Sequence, residues 1–97
     1  MSELLATRSV VVTNPEGVHA RVAVAIAEAV RPGNSQVTLL KGQQRVEATD
    51  VLQIMTLAAA PGERVEIEAV GPDAVAVLDS LEPLFAGQFG DEAQKTV

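Results

Sequence analysis

Gly17-Val18-His19-Ala20-Arg21 is the stretch of this chain whose residue types and spacing could do chemistry. It lies where a turn-forming segment, Asn14-Pro15-Glu16-Gly17, gives way to a run with helical periodicity. His19 therefore falls at or next to the N-cap of a helix. The first-turn N–H groups there, those of Ala20 and Arg21 among them, lack intrahelical partners. Together with the helix dipole they favour a bound anion. Arg21 stands two residues further on, and its guanidinium offers several donors to phosphate oxygens. Gly17 allows the backbone angles of a sharp entry into the helix. Neutral imidazole has a nucleophilic lone pair at about pH 7 and needs no added base to attack phosphorus. It is also a competent leaving group, so a captured phosphoryl could be passed on. The protein's share of such chemistry is to orient the ring and hold the peripheral oxygens. On the residues alone, an exposed histidine at a helix start also reads as a cap or a bystander.

The elements that must position this stretch follow from periodicity. Leu5 to Thr13 reads as a strand with Val10 and Val12 on one face. Ala20 to Val30 reads as a helix, with Ala23, Ile26, Ala27 and Val30 on one side, ended by Arg31-Pro32-Gly33-Asn34. Gln36 to Leu40 and Gln44 to Ala48 form a hairpin about Lys41-Gly42-Gln43. Asp50 caps a short helix to Leu57, with Gln53 placed as in a capping box. Glu63 to Val70 alternates, with Val65, Ile67 and Ala69 inward. Gly71-Pro72-Asp73 opens a last helix to about Leu81, with Ala74, Val77, Leu78 and Leu81 facing in, and Pro83 ends or kinks it. The order is β-α-β-β-α-β-α. Four strands with one apolar face need a cover, which predicts an α+β fold: an antiparallel sheet with three helices on one side. One domain spans 1–97, ordered over about 5–86, with a frayed tail over 87–97.

Composition narrows the function. The chain is 47% hydrophobic and 2% aromatic, so the core is aliphatic with Phe85 and Phe89 as its only rings, and base stacking on aromatics is disfavoured. A formal net charge of -6 argues against a nucleic-acid partner. The absence of cysteine excludes disulfides and thiol catalysis and fits a cytoplasmic location, and one histidine cannot build a His-rich metal site. No metal or other cofactor is expected. No apolar run suggests membrane insertion, and Met1 to Ser9 lacks the pattern of a secretory signal.

Gly17-Val18-His19-Ala20-Arg21 is similar to the Gly-Leu-His-Ala-Arg-Pro signature of the HPr family, the histidine-containing phosphocarriers of the sugar phosphotransferase system. The segment Val46-Glu47-Ala48-Thr49-Asp50-Val51-Leu52-Gln53-Ile54-Met55-Thr56-Leu57 resembles the family's Val-Asn-Ala-Lys-Ser-Ile-Met-Gly-Val-Met-Ser-Leu. Val65 to Val70 followed by Gly71-Pro72-Asp73-Ala74 resembles its last strand and helix start, so the likeness runs from about residue 5 to 89. The resemblance implies an open-faced β-sandwich and phosphorylation of His19 on Nδ1, with Arg21 steering the phosphoryl group. It implies enzyme I as donor and EIIA-type proteins as acceptors, and a carrier, expected to be monomeric, rather than an enzyme. A regulatory relay of the nitrogen type, or one independent of sugar permeases, would use the same chemistry. A non-phosphorylated interaction module keeping the fold is the reading from another class.

Three departures bear on the site. Val22 replaces the family's proline, which suits a first helical turn, so a slightly softer site is expected. Glu16, three residues before His19, is expected to point to water; turned inward, it would repel a phosphoryl dianion. Asp50 stands where many relatives carry the regulatory serine of HPr kinase, and its plain reading is a helix cap. The resemblance also makes Val51, Leu52 and Met55 a partner-binding patch, two of the three being expected at the surface while Ile54 and Leu57 fill the buried side. A carboxylate cannot be esterified as a serine is. Incubation with HPr kinase and ATP should therefore leave segment 49–56 unmodified, and mass spectrometry finding a phosphate there would overturn that expectation.

Overall fold

Alternation of apolar and polar residues builds the sheet. In the computed structural model, which describes residues 4–88, β1 (Leu5–Val11), β2 (Gln36–Lys41), β3 (Gln44–Glu47) and β4 (Arg64–Val70) form one four-stranded sheet in the order β1-β4-β2-β3. All three pairings are antiparallel, with Val10 opposite Val65, Leu39 opposite Ile67 and Leu39 opposite Val46. Val10, Val37, Leu39, Val46, Val65, Ile67 and Ala69 point to the buried side. Thr7, Ser9, Arg64 and Glu66 are exposed on the other, so the sheet needs cover on one face only.

That cover comes from α1 (Ala20–Val30), α2 (Val51–Thr56) and α3 (Ala74–Leu81), followed by a 3-10 segment, Glu82–Ala86. The inward residues of α1 are Ala23, Ile26, Ala27 and Val30, as the spacing predicts, with Val22 also fully buried. Ala74, Val77, Leu78 and Leu81 seal α3, and Phe85 is the buried ring beneath it. The arrangement is the antiparallel sheet with helices on one side that the periodicity predicts, and the open-faced sandwich that the resemblance implies. Among the described residues, no helix is long and apolar enough to cross a membrane.

Several boundaries differ, each for a hydrogen-bonding reason. β1 stops at Val11 because the Thr13 and Asn14 N–H groups leave the ladder and both donate to the Phe85 carbonyl, at 3.1 and 3.0 Å. Asp50 caps α2 by accepting from Gln53 N at 3.1 Å, but the Gln53 side chain does not return to the cap N–H. Its Oε1 accepts from Glu47 N at 3.1 Å and its Nε2 donates to Asp50 Oδ2 at 3.2 Å. Pro83 lies inside the 3-10 turn, which continues the chain after α3 without an α-helical bond ladder. The fraying expected from Gly87 is not seen at its start. Gly87 takes a left-handed φ of 82° and donates to Leu84 O at 3.0 Å, while Gln88 N donates to Pro83 O at 3.1 Å, a helix-closing cap. Residues 89–97, including Phe89, lie outside the described residues.

Asp73 ties the start of α3 to the α1–β2 loop. Its carboxylate accepts from Ser35 Oγ and, at 3.1 Å, from Asn34 N. The Ser35 hydroxyl first, and the Asn34 amide second, hold its carboxyl below the ordinary aspartate range. A depressed native pKa adds stability above the unfolded value of about 4, and that stability is lost as pH falls through the native value. Urea midpoints measured from about pH 5 down to pH 2 should therefore fall less steeply for Asp73→Asn than for the wild type; parallel curves would remove Asp73 from the acid response.

Candidate functional site

The turn into α1 is held at both ends before any chemistry is considered. Asn14, the buried polar side chain of the described core at 8% exposure, donates from Nδ2 to Gly17 O at 2.7 Å. Gly17 N returns a bond to Asn14 O at 2.9 Å, closing a tight turn. Val18 N then donates to Ala59 O at 2.9 Å, and the Val18 side chain is buried. Gly17 is needed here: its φ is 71°, and a Cβ would stand 2.7 Å from the Ala59 carbonyl oxygen. The loop is thus pinned between the Ala58–Gly62 connection on one side and the Phe85–Gly87 cap on the other.

His19 leaves this turn as the N-cap of α1, with extended backbone angles (φ -96°, ψ -172°), and its carbonyl accepts the first helical bond from Ala23 N at 3.0 Å. Its Nδ1 accepts from Arg21 N at 3.2 Å. In the neutral ring an accepting Nδ1 carries a lone pair, so the proton sits on Nε2. The side chain is 33% exposed, open enough for a partner to reach. Ala20 and Arg21 are exposed on the first turn. The imidazole therefore lies at the helix start, with Nδ1 turned toward the Arg21 amide.

Glu16 is 78% exposed, as expected of a side chain that points to water, and its Oε1 also lies 3.4 Å from His19 Nε2. Val22, standing where proline was expected, places its side chain wholly in the core. Asp50 acts as the cap of α2, as its plain reading predicts.

On α2, Leu52 is 76% exposed and Met55 40%, while Val51 is half-buried and packs against the core. Ile54 and Leu57 fill the interior. Two of the three patch residues face solvent, on a helix that packs against α1. Sequence reasoning did not find Asn14, Ala59 or Phe85 as parts of the site. Their contributions are backbone groups and one buried amide, and the Asn-Pro turn signal was the only pointer to any of them. Replacing Asn14 by Ala strips Gly17 O of its buried donor. Urea denaturation should show a loss of about 1–3 kcal/mol; a loss under about 0.5 kcal/mol would mean the amide bond is not what holds the turn.

The family model described as PTS HPr component phosphorylation site matches residues 6–87. The phosphocarrier protein HPr of Treponema pallidum is 36% identical over 88 residues, covering 91% of this chain and 100% of the relative. The phosphocarrier protein NPr of Klebsiella oxytoca is 33% identical over 86 residues, covering 88% of this chain and 96% of the relative. The crystal structure of a phosphocarrier protein HPr from Bacillus anthracis superposes with a TM-score of 0.78 at 25% identity, over 82% of this chain and 95% of that one. Fold, capped histidine and sequence likeness agree: the chain belongs to the HPr family of phosphocarrier proteins, carriers rather than enzymes.

Proposed function

We infer that His19 takes a phosphoryl group on Nδ1 from phosphorylated enzyme I and hands it to an EIIA-type acceptor in sugar uptake. The observation that carries this reading is the Nδ1 lone pair aimed at the open end of α1, 3.2 Å from the Arg21 amide. As Nδ1 attacks, its lone pair becomes the N–P bond and the donor's bond to phosphorus breaks with its electrons. The Arg21 N–H then loses the nitrogen as its acceptor and gains a phosphoryl oxygen. A neutral bond worth about 1 kcal/mol net gives way to a charge-assisted one about twice as strong. The exchange stabilises the loaded state without making it permanent, because imidazole remains a good leaving group. The Arg21 guanidinium, on the same turn, is the group for the outer phosphoryl oxygens. Leu52 and Met55 form the docking patch, where an adaptable methionine suits more than one partner. The carrier works as a monomer in the cytoplasm.

Relatives named NPr match almost as well as those named HPr, which supports a second reading. In it the same chemistry serves a regulatory, nitrogen-type relay with different acceptors. Supplying either sugar-type or nitrogen-type enzyme I separates the two.

Incubation with cognate enzyme I and labelled phosphoenolpyruvate should give an acid-labile label that is lost in His19→Ala. An unlabelled wild type would instead favour an interaction module that keeps only the fold. Arg21→Ala should stay folded and transfer at least about tenfold more slowly, the cost of one phosphate contact of about 1.5 kcal/mol or more. Met55→Asp should raise the KM for enzyme I while leaving the thermal midpoint close to that of the wild type. Normal rates in either variant would withdraw the role given to that residue.

A further inference from the structure

The Glu16 carboxylate is the one feature of the turn that the transfer chemistry described above does not use. It stands against the ring nitrogen that does not react: Glu16 Oε1 is 3.4 Å from Nε2, while Nδ1 faces the Arg21 amide at 3.2 Å. The two nitrogens point to different sides of the ring. A carboxylate at Nε2 is therefore kept away from a phosphoryl group on Nδ1, and the repulsion expected of an inward glutamate is largely avoided.

This placement matters because of how charge moves through the cycle. When Nδ1 bonds to phosphorus, a ring that keeps its Nε2 proton becomes positively charged. When the N–P bond breaks, its electron pair returns to Nδ1 and a neutral imidazole departs. If Nε2 had lost its proton, the departing group would be an imidazolate, a far poorer leaving group. A nearby anion favours the charged ring. We propose that Glu16 is a positioning residue for phosphoryl transfer: its carboxylate holds the Nε2 proton in place throughout the cycle, so that no proton has to move as the group arrives or leaves. The proposal rests on His19 being the phosphoacceptor.

Among the described residues, the surroundings leave Glu16 as the anion that can do this. Arg21, a cation, is the other charged residue on the turn and first helical turn. The Ala58–Gly62 connection packed on Gly17 and Val18 contains no charged residue, and neither does the Pro83–Gln88 stretch behind Asn14. Glu63, next along, is engaged by Ala60 N at 2.8 Å and Lys41 Nζ at 3.0 Å. α2 carries no charge, and its cap Asp50 is bound to Gln53.

The test uses the full chain labelled with 15N and loaded by enzyme I and phosphoenolpyruvate, comparing wild type with Glu16→Gln, which keeps length and polarity. The signal of Nε2 is followed across pH by NMR, alongside spontaneous hydrolysis of the phosphoryl group. Loaded Glu16→Gln should lose the Nε2 proton about half a pH unit earlier than loaded wild type, with about threefold slower hydrolysis above that point. The difference should shrink at about 1 M salt, where screening acts within a few ångströms. Coincident pH profiles in two loaded proteins would overturn the role of Glu16 alone. Failure of the wild type to load would instead overturn the phosphoacceptor reading, and the role of Glu16 with it.

Discussion

The amide at the start of α1 must find an acceptor, and this chain gives it an imidazole. α2, in the same molecule, shows the ordinary solution: Asp50 accepts from Gln53 N at 3.1 Å, and the helix start is satisfied by a fixed charge. At α1 the acceptor is Nδ1 of His19. A carboxylate would occupy the amide permanently. An imidazole occupies it weakly and can yield it to an oxygen on phosphorus. The capping bond of the resting protein thus reserves the place where an anion would be stabilised, and in the proposed function the histidine is both the placeholder and the nucleophile.

Such a bond is useful only if the ring cannot drift, and the rigidity comes from outside the motif. Gly17 O is held by Asn14 Nδ2, Val18 N by Ala59 O, and the Thr13 and Asn14 amides by Phe85 O. Each of these partners is in turn anchored. Glu63 accepts from Ala60 N and from Lys41, fixing the connection that carries Ala59. Phe85 is buried, and the Gly87 cap lies directly against the Asn14 side chain. The turn therefore inherits the stiffness of the core on two sides, which is what a site tuned to within about half an ångström requires.

The six-residue helix α2 is divided in its loyalties. Ile54 and the following Leu57 complete the interior, whereas Leu52 remains 76% exposed and forgoes most of the roughly 1.5–3 kcal/mol that burial of a leucine supplies. That cost is borne at a helix packed against α1, whose first residue follows His19. A partner covering Leu52 and Met55 would recover this energy transiently, a balance suited to a protein that must be released after each transfer.

By itself the sequence determined the element order, the buried face of each element and the place of the histidine at a helix start. These are local properties: period two or 3.6, turn residues, a cap, and a histidine followed two residues later by an arginine. It also determined α1 to the residue, because the loop signal ends and the apolar stripe begins at the same place. What it left open needed contacts between distant segments. Only the fold decided that the Phe85 carbonyl ends β1, that Gly87 closes a 3-10 turn, that Ala59 and Asn14 brace the histidine, and that Glu16 turns to the ring. Backbone carbonyls have no signature in residue type, and an exposed glutamate reads as solvated until the turn beside it is built. Their positions are set by packing across the whole domain, where no periodicity records them.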